Sequence, residues 1–298
     1  MVISRGLIRR TVPLVLLILT GCATSAPGID QIIAAHPDKT IAVAFRDLTT
    51  GETLLRNERE VFHAASMMKV PVMLGIFEAV SRGELRLDQP VVVKNEFTSI
   101  LDGSKYSLEL REDSDAGLYQ MVGRELSVEE LVRRMIVHSS NLATNIVIEL
   151  IGAPRVMRLM KQIGANDIQV LRGVEDDKAY HAGMNNTATA YDLMLIFQAL
   201  GEKEVISSEA SETMIEILAG QEHNDGIPAG LPAGTPVAHK TGWIPRIAHD
   251  GGLVIAPDGA FVLVVMTRGF TEHDDAQRVI AAIARSVWVS RASSARYR

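Results

Sequence analysis

The sequence predicts an α/β protein of the α+β kind: one antiparallel sheet assembled from both ends of the chain and flanked by helices, with an all-helical lobe inserted between. Three observations carry this. β-like runs occur near residues 40–60, helical periodicity fills the middle, and β-like runs return after about Gly226, before a closing helix. At 298 residues, 47% hydrophobic and 22% charged, the chain is long enough for one large domain or two closely packed lobes. The formal charge of −6 comes with no Lys/Arg cluster, which sets nucleic acid aside as a partner.

The elements follow in order. "MVISRGLIRR" is basic and "TVPLVLLIL" is apolar but too short for a membrane span, so residues 1–21 are expected to be a signal peptide. The "LTGC" that ends the segment resembles a bacterial lipobox. That resemblance implies an exported lipoprotein, periplasmic or at the cell surface, held to a membrane through lipidated Cys22. The alternative is a plain signal peptide cut near "CATSA". Cleavage before Cys22 removes Arg5, Arg9 and Arg10 and takes the formal charge from −6 to −9. Cys22 is the only cysteine, so no disulfide can form within the chain and stability must come from the core.

Residues 22–38 read as a small-residue tether and the start of a first helix. "TIAVAFRDLTTGETLLRNERE" reads as a hairpin around "DLTTG". A helix is predicted from Ser66 to about Arg82, closed by Gly83, with Pro71 tolerated near its first turn. "SVEELVRRMIVHSSNLATNIVIELIG" opens on a capping box, Ser127 with Glu130, and runs helix, short break, helix. "APRVMRLMKQIG", "TATAYDLMLIFQALG" and "SSEASETMIEILAG" are further helices. "GTPVAHKTGW" reads as a strand, "DGGLVIAPDGAFVLVVMTRG" as two strands around "PDG", and "DDAQRVIAAIARSVWVS" as the closing helix. Residues 39–65 with 226–298 then form the sheet-bearing lobe, and 66–225 the helical lobe.

The chemistry begins at "AASMMKV". Residues three apart share a helix face, so Ser66 and Lys69 can meet. A serine hydroxyl needs a base to become a nucleophile, and a lysine amine can be that base where desolvation lowers its pKa. Alone, Ser-x-x-Lys equally describes a helix cap and a lysine reaching for solvent. Two later stretches add to it. "HSSNLATN" puts Ser139 and Asn141 at the helix break, where either also reads as a cap. "HKTGW" puts Lys240, Thr241 and Gly242 on a strand. In this order they match the serine acyl-transfer set S-x-x-K, an S-D-N-like triplet, and K-T-G.

On those motifs, and on the β-α-β layout over roughly residues 40–290, the chain resembles the class A β-lactamase and penicillin-binding serine hydrolase superfamily. The resemblance implies a β-lactamase/transpeptidase-like fold, with Ser66 as acylated nucleophile and Lys69 as its proton acceptor or relay. Ser139 would pass a proton to the leaving nitrogen, and Asn141 would hold the substrate amide. Lys240 and Thr241 would bind the substrate carboxylate, and Gly242 would let the strand approach closely. The oxyanion hole would be the backbone N–H groups of Ser66 and Trp243. Ser140 stands where the family has an aspartate.

The stretch 171–187 falls where the family places its water-activating loop. Arg172 and Glu175 resemble the family's arginine and glutamate with one residue more between them, and Ala179 stands where an asparagine would help hold the water. Glu175 is the expected base, with Asp176 and Asp177 as rival carboxylates. Arg246 or Arg268 could add charge for a carboxylate, and Tyr106 or Tyr119 could wall the cleft. The eight histidines show no zinc-ligand spacing, and His63, His138 and His239 read as packing or supporting residues; no metal or cofactor is expected.

The resulting expectation is a monomeric serine β-lactamase that opens β-lactam rings through a Ser66 ester, without cofactor and with only its lipid anchor touching a membrane. Two alternatives stay open. One is a D,D-peptidase or penicillin-binding protein acting on cell-wall peptides with slow deacylation. The other is a non-catalytic lipoprotein that binds muropeptides.

Overall fold

A computed structural model describes residues 27–295; the segment 1–21 and Cys22 lie outside the described residues. After helix α1 (Ile29–Ala34) come strands β1 (Thr40–Asp47), β2 (Thr53–Arg56) and the two-residue β3 (Phe62–His63). Helix α2 (Lys69–Ser81) follows, then the short strands β4 (Pro90–Val92), β5 (Phe97–Thr98) and β6 (Lys105–Tyr106). The helical stretch holds α3 (Ala116–Tyr119), β7 (Glu125–Ser127), α4 (Val128–Val137), α5 (Asn141–Ile151), α6 (Ala153–Ile163), α7 (Asp177–His181), β8 (Thr187–Ala188), α8 (Ala190–Gly201) and α9 (Ser208–Ala219). The chain closes with β9 (Val237–Ile244), β10 (Ile247–Ala256), β11 (Gly259–Arg268) and α10 (His273–Ala295).

The main sheet is antiparallel in the order β2-β1-β11-β10-β9, so the first long strand pairs with the last, Thr40 opposite Arg268. Both faces are covered, which explains why these strands are apolar throughout rather than alternating. Ile41, Val43 and Phe45 of β1 share one cluster with Phe261, Leu263 and Val265 of β11 and with Ile280 and Ile283 of α10. The intervening Ala42, Ala44, Val262 and Val264 face the other way, into a larger cluster with Leu74, Met135, Ile146 and Phe197 from the helices. The inserted helices and the inner sheet face therefore share one core. Helix α2 runs through its centre, buried on nearly every side.

Three local expectations change in detail. The helix of Ser66 does not begin at that serine: Ala65–Met68 form a 3-10 turn, and α-geometry starts at Lys69. The capping box at Ser127 is half made. Ser127 Oγ accepts the Glu130 N–H at 3.2 Å, but the Glu130 carboxylate turns to Arg134 at 2.7 Å instead. At the α4–α5 break the cap is neither Ser139 nor Asn141 but Ser140, whose Oγ accepts the Ala143 N–H. Ser139 is left in the left-handed region, with φ 60°.

Candidate active site

Three segments converge: the turn into α2 carries Ser66 and Lys69, the α4–α5 break carries Ser139 and Asn141, and β9 carries Lys240 to Trp243. The Lys69 side chain is fully buried. Its ammonium donates to Ser139 O at 2.6 Å, Ser139 Oγ at 3.1 Å and Asn141 Oδ1 at 2.9 Å. Those bonds use all three donors of the group. Among the described residues Ser66 Oγ has no hydrogen-bond partner, and it is half-buried. Lys69 therefore holds Ser139 and Asn141 in this state, and its lone pair becomes available only on losing a proton.

Asn141 links the two titratable groups of the centre, because its Nδ2 donates to Glu175 Oε1 at 2.6 Å. Its second contact is to the Glu112 carbonyl. Burial pulls the Lys69 ammonium down to about 7, against the Asp113 and Glu175 charges that hold it up. Burial likewise pushes Glu175 up to about 7, opposed by the Asn141 hydrogen bond. Glu175, like Ser139, sits at positive φ, 59°. Positive φ in a side-chain-bearing residue costs on the order of 1–3 kcal/mol and collects at functional sites.

Glycine is needed at position 242. A Cβ there would lie 2.9 Å from Ser66 N and 3.0 Å from Met67 N. Both are main-chain atoms that cannot swing away, so the β9 backbone runs directly against the first turn of the nucleophile segment. Lys240 is also fully buried, donating to the Thr241 carbonyl at 2.9 Å. Burial, then the neighbouring Lys69 charge, keeps it well below the ordinary lysine range. Thr241 is buried, while the Trp243 ring is 60% exposed and packs against His273. Arg246 lies two residues beyond the end of β9. It is exposed in the turn between β9 and β10, at φ 66°. Arg268 pairs with Glu60 at 2.5 Å instead.

The three acidic residues of the loop have separate places. Glu175 faces Asn141. Asp176 is buried and fully engaged, accepting from Ser99 Oγ at 2.8 Å, Ile100 N at 3.0 Å and Ala179 N at 3.1 Å. Asp177 is exposed as the first residue of α7. Arg172 is buried and bonds to Met184 O, Gly173 O and Asn185 Oδ1.

Asn145 was not foreseen. Its Oδ1 accepts Val174 N–H at 2.6 Å and its Nδ2 donates to Val174 O at 3.0 Å and Tyr106 Oη at 3.2 Å. It pins the residue before Glu175, and Gly173 must be glycine because a Cβ would fall 2.2 Å from Asn145 Oδ1. The signal was present: Asn141 and Asn145 lie four apart, on one face of a mostly apolar helix. Tyr106 thus braces the loop, and the Tyr119 hydroxyl is buried, its ionisation opposed first by burial and then by Asp113 and Glu175.

The three histidines beside the motifs are each hydrogen-bonded within the chain. His63 Nδ1 accepts the Ala65 N–H at 3.0 Å, next to Ser66. His239 lies between Asp250 and Asn224, and His138 pairs with Glu222 at the surface. A cavity of about 180 Å³ behind the loop, lined by Phe97, Tyr106, Asn145 and Leu171, includes none of Ser66, Lys69, Ser139 or Lys240.

A half-buried serine, a lysine on the same turn that burial lowers to about 7, and a carboxylate that burial raises to about 7 and one carboxamide joins to that lysine, are groups that a serine acyl-transfer hydrolase needs. Comparison with known proteins narrows this. The profile of the beta-lactamase enzyme family matches residues 25–290. Extended-spectrum beta-lactamase PER-1 of Pseudomonas aeruginosa is 26% identical, with 84% of this chain and 82% of the relative covered. A beta-lactamase structure from Sphaerobacter thermophilus DSM 20745 superposes with a TM-score of 0.76 at 26% identity, covering 88% of this chain and 96% of that one. A variant of PBP-A in an acyl-enzyme complex with penicillin G superposes with a TM-score of 0.75 at 26% identity, covering 89% and 95%. The chain belongs to the beta-lactamase enzyme family, serine hydrolases that act on β-lactams.

Proposed function

We propose that the chain hydrolyses the β-lactam amide by way of a Ser66 acyl-enzyme. Ser66 Oγ adds to the ring carbonyl as its proton passes to the deprotonated Lys69 amine. The C–N bond then breaks as Ser139 delivers its proton to the departing nitrogen and takes the replacement from the Lys69 ammonium, to which it is hydrogen-bonded. Glu175 takes a proton from a water that attacks the ester carbon, and Ser66 leaves as the hydroxyl. The Ser66 and Trp243 N–H groups would stabilise the oxyanion; losing one such donor typically costs about 3 kcal/mol of barrier stabilisation. Lys240 and Thr241 would anchor the substrate carboxylate, and Asn141 would turn its amide toward the substrate side chain.

The observation that supports this best is the Asn141 bridge between Lys69 and Glu175, both titrating near 7. A general base works best when its pKa lies near the operating pH. Such a pair suits an enzyme that must both form and destroy an ester. It also speaks against a binding-only lipoprotein, which has no use for an amine that is costly to bury.

A second reading, a penicillin-binding D,D-peptidase on cell-wall peptides, draws on Ala179 and on the penicillin G acyl-enzyme of PBP-A. One experiment separates the readings. Protein spanning residues 23–298 is mixed with excess chromogenic cephalosporin while colour and intact mass are followed. Sustained turnover supports the hydrolase; one equivalent of colour with a stable adduct supports the peptidase; neither colour nor adduct favours the binding protein, or an enzyme for a different ester or amide. We further propose export and lipid anchoring through Cys22, checked by incorporation of labelled fatty acid into the full chain and its loss in Cys22→Ala.

A further inference from the structure

The family aspartate that Ser140 replaces is not simply missing, because a carboxylate reaches the same helix start from another segment. Asp113 Oδ2 accepts the Leu142 N–H at 2.8 Å, in the first turn of the eleven-residue α5, and lies 3.4 Å from Ser140 Oγ. Its Oδ1 accepts the Asp115 N–H at 3.0 Å, which fixes the side chain. The neighbouring residues are stitched to the same junction. Glu112 O accepts from Asn141 Nδ2 at 3.2 Å, Ser114 Oγ donates to His138 O at 2.6 Å, and Arg134 of α4 holds both oxygens of Asp115.

We propose that Asp113 is a positioning residue for the catalytic centre: it ties the strained Ser139–Ser140–Asn141 turn to residues 112–115 and sets one negative charge beside the Lys69–Asn141–Glu175 path. This rests on the reading of Ser66 as nucleophile. The charge has two named recipients. Asp113 is the first of the charges that favour the Lys69 ammonium, ahead of Glu175. It also disfavours ionised Glu175, together with Glu112 and against Lys69. The Tyr119 hydroxyl faces Asp113, Glu175 and Asp115, and Arg134 offsets the Asp115 charge. An anion here therefore moves both centres the same way, toward the protonated form.

Asp113→Asn removes the charge and keeps one acceptor: its amide oxygen can still take the Leu142 N–H, while the bond to the Asp115 N–H is given up. In the substrate-free protein, a 13Cε titration of Lys69, assigned with Lys69→Arg, is expected to shift its midpoint down by about half a pH unit in Asp113→Asn. The acid limb of kcat/KM shifts the same way, and Tm falls less than in Asp113→Ala. Asp113→Ala, which removes the tether as well, is expected to lower Tm and slow acylation by about tenfold to a hundredfold. An unmoved Lys69 midpoint in Asp113→Asn, or wild-type Tm and acylation in Asp113→Ala, overturns the proposal. The Lys69 titration needs no turnover, so it reads out even if the protein proves inert toward β-lactams, which would sink the functional reading instead.

Discussion

Lys69 and Glu175 are coupled through one side chain: Asn141 accepts from Lys69 Nζ at 2.9 Å and donates to Glu175 Oε1 at 2.6 Å. Burial draws both groups to about 7 from opposite directions.

The pH profile follows. Both working forms, the free Lys69 amine and the Glu175 carboxylate, are the deprotonated ones. Turnover should rise with pH through about 7, with the limb set by the pair. A stability test gives the sign independently. Glu175 is raised from 4.5, so between about 4.5 and 7 the native state holds more protons than the unfolded one, and stability falls as pH rises. Glu175→Gln lacks that loss. Its Tm advantage over wild type should thus grow by a few degrees between pH 5 and pH 8. A constant difference across that range contradicts the assignment.

Gly242→Ala should fold yet acylate poorly. The added methyl meets two backbone nitrogens at about van der Waals overlap, so either β9 or the Ser66 turn must move. A displacement near 1 Å at the reacting groups costs on the order of a hundredfold. Stopped-flow acylation rates, compared with Tm, check this.

Asp176→Ala should loosen the loop while sparing the nucleophile. It strands the Ser99 hydroxyl and the Ile100 and Ala179 N–H groups. The expected cost is about 2–3 kcal/mol of stability. Deacylation should slow more than acylation, because Glu175 is the adjacent residue and Ser66 lies on another segment. Equal losses in both steps count against this.

Ser139→Gly tests stored strain. Ser139 holds φ 60° and glycine has no penalty there. The variant should gain about 1 kcal/mol of stability and lose most of its turnover. Loss of stability instead would show that the Lys69–Ser139 hydroxyl contact outweighs the strain.

The legible parts of the sequence were those with short-range signatures. Apolar runs at residues 40–47 and 259–268 mark buried strands, and the Ser66–Lys69 spacing marks a shared face. What the sequence concealed depends on chain segments far apart. Asp113 looks like any loop aspartate until it meets Leu142 N, and Asp176 reads as a rival base until Ser99 and Ile100 claim it. The cap at Ser140 was hidden among three adjacent polar residues of similar cap propensity, and φ at Ser139 decided among them. The two-residue strands β3, β5, β6 and β8 are too short to leave a period in sequence.

The most direct test is the intact mass of Glu175→Gln after exposure to excess cephalosporin. If Ser66 is the nucleophile and Glu175 the deacylating base, the variant should accumulate one acyl group, mapped to Ser66 by peptide digestion, while turnover falls by about two to four orders of magnitude. Unimpaired turnover with no adduct, or an adduct on any residue other than Ser66, contradicts the account.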